Sequence, residues 1–257
     1  MDKSLDIGAV IGDTFGVIGR KFVDLATLGV LIVGVPTLLV TFFSSQAMER
    51  TVEQGALDLN FSFGLFLANI LYAVFPFMLQ AAVVYLTVAS LNRGRSGLGD
   101  AIGTALRAFF PLLVVSILMS IGLTIGFLLL IIPGLILLTV WAVVVPALVV
   151  DRAGIFGSFG RSADLTRGSR WRIFGLILLG YIAMFVIAAL FGLLAVGASA
   201  GSVVAGDGGF NASGLIAGVV IDTALAIVAA VGVSVLYVHL REMKDGTRVD
   251  AIGDVFS

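Results

Sequence analysis

Long apolar runs alternate along this chain with short stretches where charge and glycine gather. Residues 25–45 (LATLGVLIVGVPTLLVTFFSS) form the first run and 61–91 the second, long enough to tilt or to project past a bilayer core. From Ala108 to Val150 no residue is charged. As one helix those residues would extend about 64 Å at 1.5 Å per residue, twice the hydrocarbon core. They must fold back, and Pro133-Gly134 is the expected turn, giving runs near 109–132 and 135–150, the shorter one containing Pro146. Runs 172–198 and 214–240, joined by the Gly/Ser-rich GASAGSVVAGDGGFNAS, complete a set of six. The pattern predicts an all-α polytopic membrane protein with six transmembrane helices.

Before the first, third and fifth runs the period changes. IGAVIGDTF (7–15), LGDAIGTAL (98–106) and IFGSFGRSA (155–163) each place apolar residues at positions one and five, a small or β-branched residue at four and glycine at six. On a helix Ile7, Ile11, Phe15, Ile18 and Phe22 form one stripe, with Asp6, Asp13 and Arg20 away from it. Leu98, Ile102, Leu106 and Phe109 repeat that stripe, and Ile155, Phe159 and Ala163 repeat it more weakly. Position gives the match its weight, since each copy immediately precedes a pair of runs. The expected organisation is therefore a single membrane domain of three units, each an amphipathic interfacial helix followed by a transmembrane hairpin. The units cover about 4–95, 96–152 and 153–245, with a short tail at 246–257. Parallel repeats of this kind relate by an axis along the membrane normal.

Composition supports the class and removes several chemistries. Of 257 residues 60% are hydrophobic and 12% charged, about half the charge of a soluble domain. Net charge is −1, which predicts no attraction to nucleic acid. There is no cysteine, so disulfides, thiolate chemistry and cysteine metal sites are excluded. The start, MDKSLDIGAVIGDTF, lacks the basic n-region and continuous apolar core of a cleavable signal peptide. With six alternating spans, 14 of the 15 Lys+Arg fall on one side and only Arg50 on the other. The positive-inside rule makes that side cytoplasmic and places both termini there.

The run IIPGLILLTVWAVVVPALVVDRAGIFGSFGRSADLTRGSRWRIFGLILL, with the ending VLYVHLREMKDG, resembles a known family. It is similar to the membrane domain N-terminal to some bacterial glycerophosphoryl diester phosphodiesterases, and to the related stand-alone YciC-like inner-membrane proteins. The shared features are the Pro-Gly hairpin, the Pro before an acidic turn, R-S-x-x-L-T-R-G, the W-R-I-F start of a span and the closing L-Y-x-x-L-R. The IGDTFGVIGRKF start also fits. The resemblance implies a six-span domain of a bacterial cytoplasmic (inner) membrane. It does not extend to the phosphodiesterase barrel, so the enzyme activity is not carried over.

Candidate chemistry is sparse. GASAG (197–201) spells G-x-S-x-G, but the single histidine, His239, lies at the far end of the next span, about 30 Å away, where it cannot serve Ser199 as a base. One histidine cannot build a His-based metal site. No catalytic residue, cofactor or metal is expected. Asp222, Asn69 and Gln80 lie inside spans and form the candidate intramembrane polar site. The two amides suit interhelical hydrogen bonds, whereas an ionisable group at that depth is expensive and must be protonated, hydrogen-bonded or wet. Asp222 is expected to face the bundle interior, with Asn69, Thr124 or Tyr72 as candidate partners. Arg161, Arg167, Arg170 and Arg172 are candidate lipid-headgroup ligands or topology anchors. The spacings Gly122-x3-Gly126 and Gly214-x3-Gly218 predict close helix packing.

Two functional classes follow, both non-enzymatic, with membrane lipids as expected partners. One is lipid or envelope homeostasis, or transport of a small or lipidic molecule. The other is a structural or assembly module that stabilises a membrane partner; the chain's own oligomeric state stays open. The topology is directly testable. Single cysteines at Ser4 or Ser257 are expected to resist a membrane-impermeant thiol reagent in intact cells, and one at Ser62 or Ala212 to react. Labelling at either terminus contradicts the orientation.

Overall fold

Pro36, Pro133 and Pro146 punctuate the apolar runs, and each leaves its mark on the helices. The computed structural model describes residues 5–54, 72–91, 97–204 and 212–246. In chain order the helices are α1 Ile7–Arg20, α2 Phe22–Gly29, a π-helical turn Val30–Gly34, α3 Val35–Gln54 and α4 Phe75–Leu91. Then come α5 Leu98–Arg107, α6 Phe109–Leu129, α7 Ile131–Val140, α8 Val144–Val150, α9 Gly154–Thr166, α10 Arg170–Val204 and α11 Ala212–Asp245. No strand occurs among the described residues. Among the described residues five stretches are long and apolar enough to cross a membrane: Phe22–Ser44, Phe109–Leu129, Ile131–Val150, Arg170–Leu190 and Leu215–Asp245. The second expected run is described only from residue 72, where its apolar helix is shorter.

Proline explains the irregular backbone. A proline in a helix interior lacks an N–H and its ring clashes with the carbonyl four residues back. Pro36 is preceded by the π turn, where the Val35 amide reaches back five residues to the Val30 carbonyl. Pro146 is preceded by the break at Trp141–Val143, between α7 and α8. Pro133 behaves differently from the expectation of a Pro-Gly turn. The chain reverses at Leu130, in extended conformation (φ −168°, ψ 154°), and Pro133 sits in the first turn of α7, where the missing N–H costs nothing. Gly134 closes this hairpin against α6: a Cβ there would lie 2.5 Å from the Phe127 ring, and one on Gly126 would lie 3.1 Å from the Gly134 Cα. Gly122 likewise leaves room for the Trp141 ring, 2.4 Å from where its Cβ would be. The second predicted glycine pair does not repeat this, because Gly218 faces open space.

The core lies where α4, α8 and α11 meet. From Leu79 to Val88 α4 is buried almost all round, every residue of α8 is buried, and α11 is buried from Ser234 to Val238. These three helices contact one another. Each also receives one short helix: α1 packs on α11, α5 on α4 and α9 on α8. By contrast α6 and α10 lie at the periphery, and α10 exposes Leu178, Tyr181, Ile182 and Phe185.

The three short helices bury the same positions. In the stretches beginning at Ile7, Leu98 and Ile155, the fourth residues Val10, Ala101 and Ser158 are buried, and so are the eighth, Thr14, Ala105 and Ser162. The first residues and the fifth, Ile11, Ile102 and Phe159, are half-buried beside them. The buried line is thus rotated from the stripe read in the sequence, and Phe15, Phe22 and Leu106 are exposed. Phe22 left the stripe because Lys21 interrupts the helix (φ −121°, ψ 26°), so Phe22 begins α2. Helix α9 ends at Thr166, ahead of Gly168 in the left-handed region (φ 87°).

Small residues on the buried line let each short helix approach its partner closely. Ala105→Leu is expected to lower the thermal midpoint of the detergent-solubilised protein, overpacking costing about 1–3 kcal/mol. Leu106→Ala, one residue along on the exposed side, is expected to leave the midpoint almost unchanged. Equal effects contradict the packing described.

Candidate functional site

The densest polar constellation among the described residues forms where α8 ends, beside α9 and the C-terminal turns of α11. Asp151 follows α8 directly, and its two carboxylate oxygens are divided between two arginines. Oδ2 accepts from Arg161 Nε at 2.9 Å, and Oδ1 lies 3.3 Å from Arg241 Nη1. Arg161 also donates through Nη2 to Asp245. Arg241 Nε sits 3.7 Å from Asp245, too long for a hydrogen bond, while its Nη1 donates to the hydroxyl of buried Tyr237 at 3.2 Å. Two carboxylates thus balance two guanidiniums in a group that ties α8, α9 and α11 together. Partial burial alone would lower the pKa of Arg161; the hydrogen bonds to Asp245 and Asp151 outweigh it and raise the value above its ordinary range. Arg161 therefore stays charged and held.

The next residue of α9, Ser162, repairs the break in the fourth apolar run. Its Oγ donates to the Val140 carbonyl at 2.7 Å and accepts from the Val143 amide at 3.3 Å. These are backbone groups that the α7–α8 break releases, and hydrocarbon offers them no substitute partner. Ser158 and Thr166, one turn to either side, are fully buried, and Trp141 at the break packs edge-on against Phe159 with ring centroids 5.1 Å apart. Helix α9 thus grips α8 at both ends, through Ser162 and Phe159 at its start and Arg161 at Asp151.

The other two short helices are pinned by one polar pair each. Asp13 on α1 lies 2.9 Å from His239 Nε2 on α11. Asp100 on α5 lies beside Tyr85 on α4. In addition, Arg172 donates to the Leu5 carbonyl at 3.0 Å, fastening the segment ahead of α1 to the start of α10.

These contacts redistribute the residues singled out in the sequence. Of the arginines expected as headgroup ligands or anchors, Arg161 is half-buried in the ion-pair group, Arg172 is exposed but donates to the Leu5 carbonyl, and Arg167 and Arg170 are exposed. Asp222 does not face the bundle interior. The buried line of α11 passes through Val219, Thr223 and Ala230, and Asp222, one residue off that line, is exposed. Of its expected partners, Thr124 is exposed on α6 and the Tyr72 hydroxyl lies 3.0 Å from Thr37 Oγ1 instead. Asn69 lies outside the described residues, and Gln80 is half-buried on α4. The GASAG stretch is helical, within α10, rather than a strand-to-helix turn. Among the described residues no group of His, Cys, Asp or Glu could hold a metal. Asp151, Arg241 and Asp245 are not legible as a group in the sequence, because nothing there brings residue 151 to residue 241.

No family model, curated protein or solved structure matches the chain.

The geometry ranks the arginines. Arg161→Gln is expected to lower the thermal midpoint clearly, since it leaves Asp151 and Asp245 to share Arg241 alone, while Arg167→Gln changes it little. Combining Arg161→Gln with Asp151→Asn is expected to be less than additive, as for groups in one network. Ser162→Ala, which strands a buried carbonyl and amide, is expected to cost about 1–3 kcal/mol. Additivity in the first pair, or tolerance of Ser162→Ala, contradicts these roles.

Proposed function

We propose that this chain is a non-enzymatic integral protein of a bacterial cytoplasmic membrane that acts in lipid or envelope homeostasis by engaging lipids around its perimeter. In this reading six spans form three units, α1 to α4, α5 to α8 and α9 to α11, with both termini cytoplasmic. The shared burial of the first, fourth, fifth and eighth positions of α1, α5 and α9 supports the triplication. So does the cyclic order of packing. Each interfacial helix lies on the returning span of the preceding unit, and α1 lies on the last span, α11.

One observation carries the functional choice. The three returning spans meet in a close-packed apolar core, with α4 buried on nearly all sides, and the one carboxylate at membrane depth, Asp222, faces outward. A path for a small solute needs polar groups around an opening between the spans. Here the polar side chains of the core, such as Thr87 and Ser234, are single hydroxyls enclosed among apolar neighbours, and the exposed arginines and exposed apolar side chains lie around the perimeter, where lipid is the neighbour. The broad exposed face of α10 favours a second reading, an assembly module on which another membrane protein packs.

A deletion strain separates the two. Mass spectrometry of its phospholipids is expected to show an altered composition, with raised sensitivity to detergents, both restored by the wild-type chain and equally by Asp222→Asn. Unaltered lipids, with loss of one particular membrane protein, overturn the lipid reading in favour of the assembly module. Failure of Asp222→Asn to restore the phenotype at any pH, with normal protein levels, overturns the dismissal of a coupled transport site.

A further inference from the structure

We infer that the three corners where an interfacial helix turns into its outgoing span bind the phosphate of anionic phospholipids in the cytoplasmic leaflet. The proposal rests on the reading that α1, α5 and α9 lie at that surface.

The corners share a composition that the packed core does not explain. At the first, Arg20 ends α1 and Phe22 begins α2. At the second, Arg107 ends α5 and Phe110 lies in the first turn of α6. At the third, Arg167 and Arg170 flank the turn between α9 and α10, followed by Trp171. All four arginines are exposed, and among the described residues none has an acidic partner. Other basic residues nearby are committed: Lys21 lies 3.4 Å from Asp24, Arg161 and Arg241 share Asp151, and Arg172 holds the Leu5 carbonyl. The aromatic side chains are turned outward to match, Phe22 at 64%, Phe110 at 74% and Trp171 at 86% exposure.

A guanidinium beside an outward aromatic ring, at the level where a span begins, fits a phospholipid better than a soluble anion. The guanidinium can donate two parallel hydrogen bonds to phosphate oxygens. One exposed arginine holds a free phosphate only weakly in water. A lipid phosphate is already delivered to this depth by its acyl chains, which lie along the ring and the apolar face of the outgoing span. Net negative headgroups are preferred because a zwitterionic headgroup carries its own cation, which competes with the arginine for the phosphate.

Trp171 reports on its own corner. In the full chain carrying Trp141→Phe it is the only tryptophan. This protein is reconstituted into bilayers of equal parts phosphatidylglycerol and phosphatidylcholine, with bromine on the acyl chains of one lipid or the other. Brominated phosphatidylglycerol is expected to quench Trp171 at least twofold more than brominated phosphatidylcholine. Arg167→Gln with Arg170→Gln is expected to bring the ratio to one, whereas Arg20→Gln, at another corner, leaves it unchanged. Soluble glycerol phosphate is not expected to alter the ratio. Moving the probe to the other corners, by Phe22→Trp or Phe110→Trp with Trp171→Phe, is expected to reproduce the preference and its loss with Arg20→Gln or Arg107→Gln. Equal quenching by the two lipids overturns the proposal while leaving the helices at the membrane surface, and reversal by glycerol phosphate overturns the assignment to lipid. Quenching by neither lipid overturns the underlying placement of the helices.

Discussion

Close approach of three short helices to three buried helices is the constraint on which the rest of this structure depends. It is set by side-chain size at two positions, Val10 and Thr14 on α1, Ala101 and Ala105 on α5, Ser158 and Ser162 on α9. Larger residues there would lift each short helix away, and four further features would go with it. The Asp13–His239 and Asp100–Tyr85 pairs would separate, Arg161 would lose Asp151, and the Ser162 hydroxyl would leave the break it bridges. Between helices in lipid the hydrophobic effect offers little, so contact depends on packing and hydrogen bonds, and small residues make both possible.

The third short helix carries more than packing. Where α1 and α5 present Thr14 and Ala105, α9 presents Ser162, opposite a span that Pro146 breaks. A broken helix at membrane depth is tolerated only when protein supplies the missing partners. The Ser162 hydroxyl supplies one to each side of the break, and the ion-pair group at Asp151 holds α9 in the place where it can do so. The π turn before Pro36 is a different solution to the same problem, resolved within the backbone and packed by Gly29 and Gly34 against Ile227 and Thr223 of α11.

Much of this was legible in the sequence, and the errors have identifiable causes. Hydropathy marks the apolar runs because lipid-facing and buried positions are both apolar, and for the same reason it leaves their faces unresolved. The buried line of α1 therefore differs from the apolar stripe: Phe15 belongs to the stripe yet is exposed, and Thr14 is polar yet buried. Asp222 failed as an interior residue on the same ground, since depth along a helix fixes nothing about its phase. Pro133 was assigned to a turn because Pro-Gly favours turns, but proline equally favours the first turn of a helix, and here the turn lies at Leu130. In the sequence Arg161, Arg167, Arg170 and Arg172 form one basic group. Only long-range geometry, which puts residue 161 beside 151 and 245, separates those that hold the protein together from those that face outward.

The proposed cyclic arrangement closes at a single contact, α1 of the first unit against α11 of the last. The chain has no native cysteine, so Asp13→Cys with His239→Cys can be treated with a short thiol-specific cross-linker in native membranes without background. The account predicts an efficient cross-link within one chain, seen as a closed loop on peptide mass spectrometry, and little reaction when Phe15→Cys replaces Asp13→Cys. A cross-link formed only between chains, or none in membranes where the single variants both react, would contradict the closed arrangement.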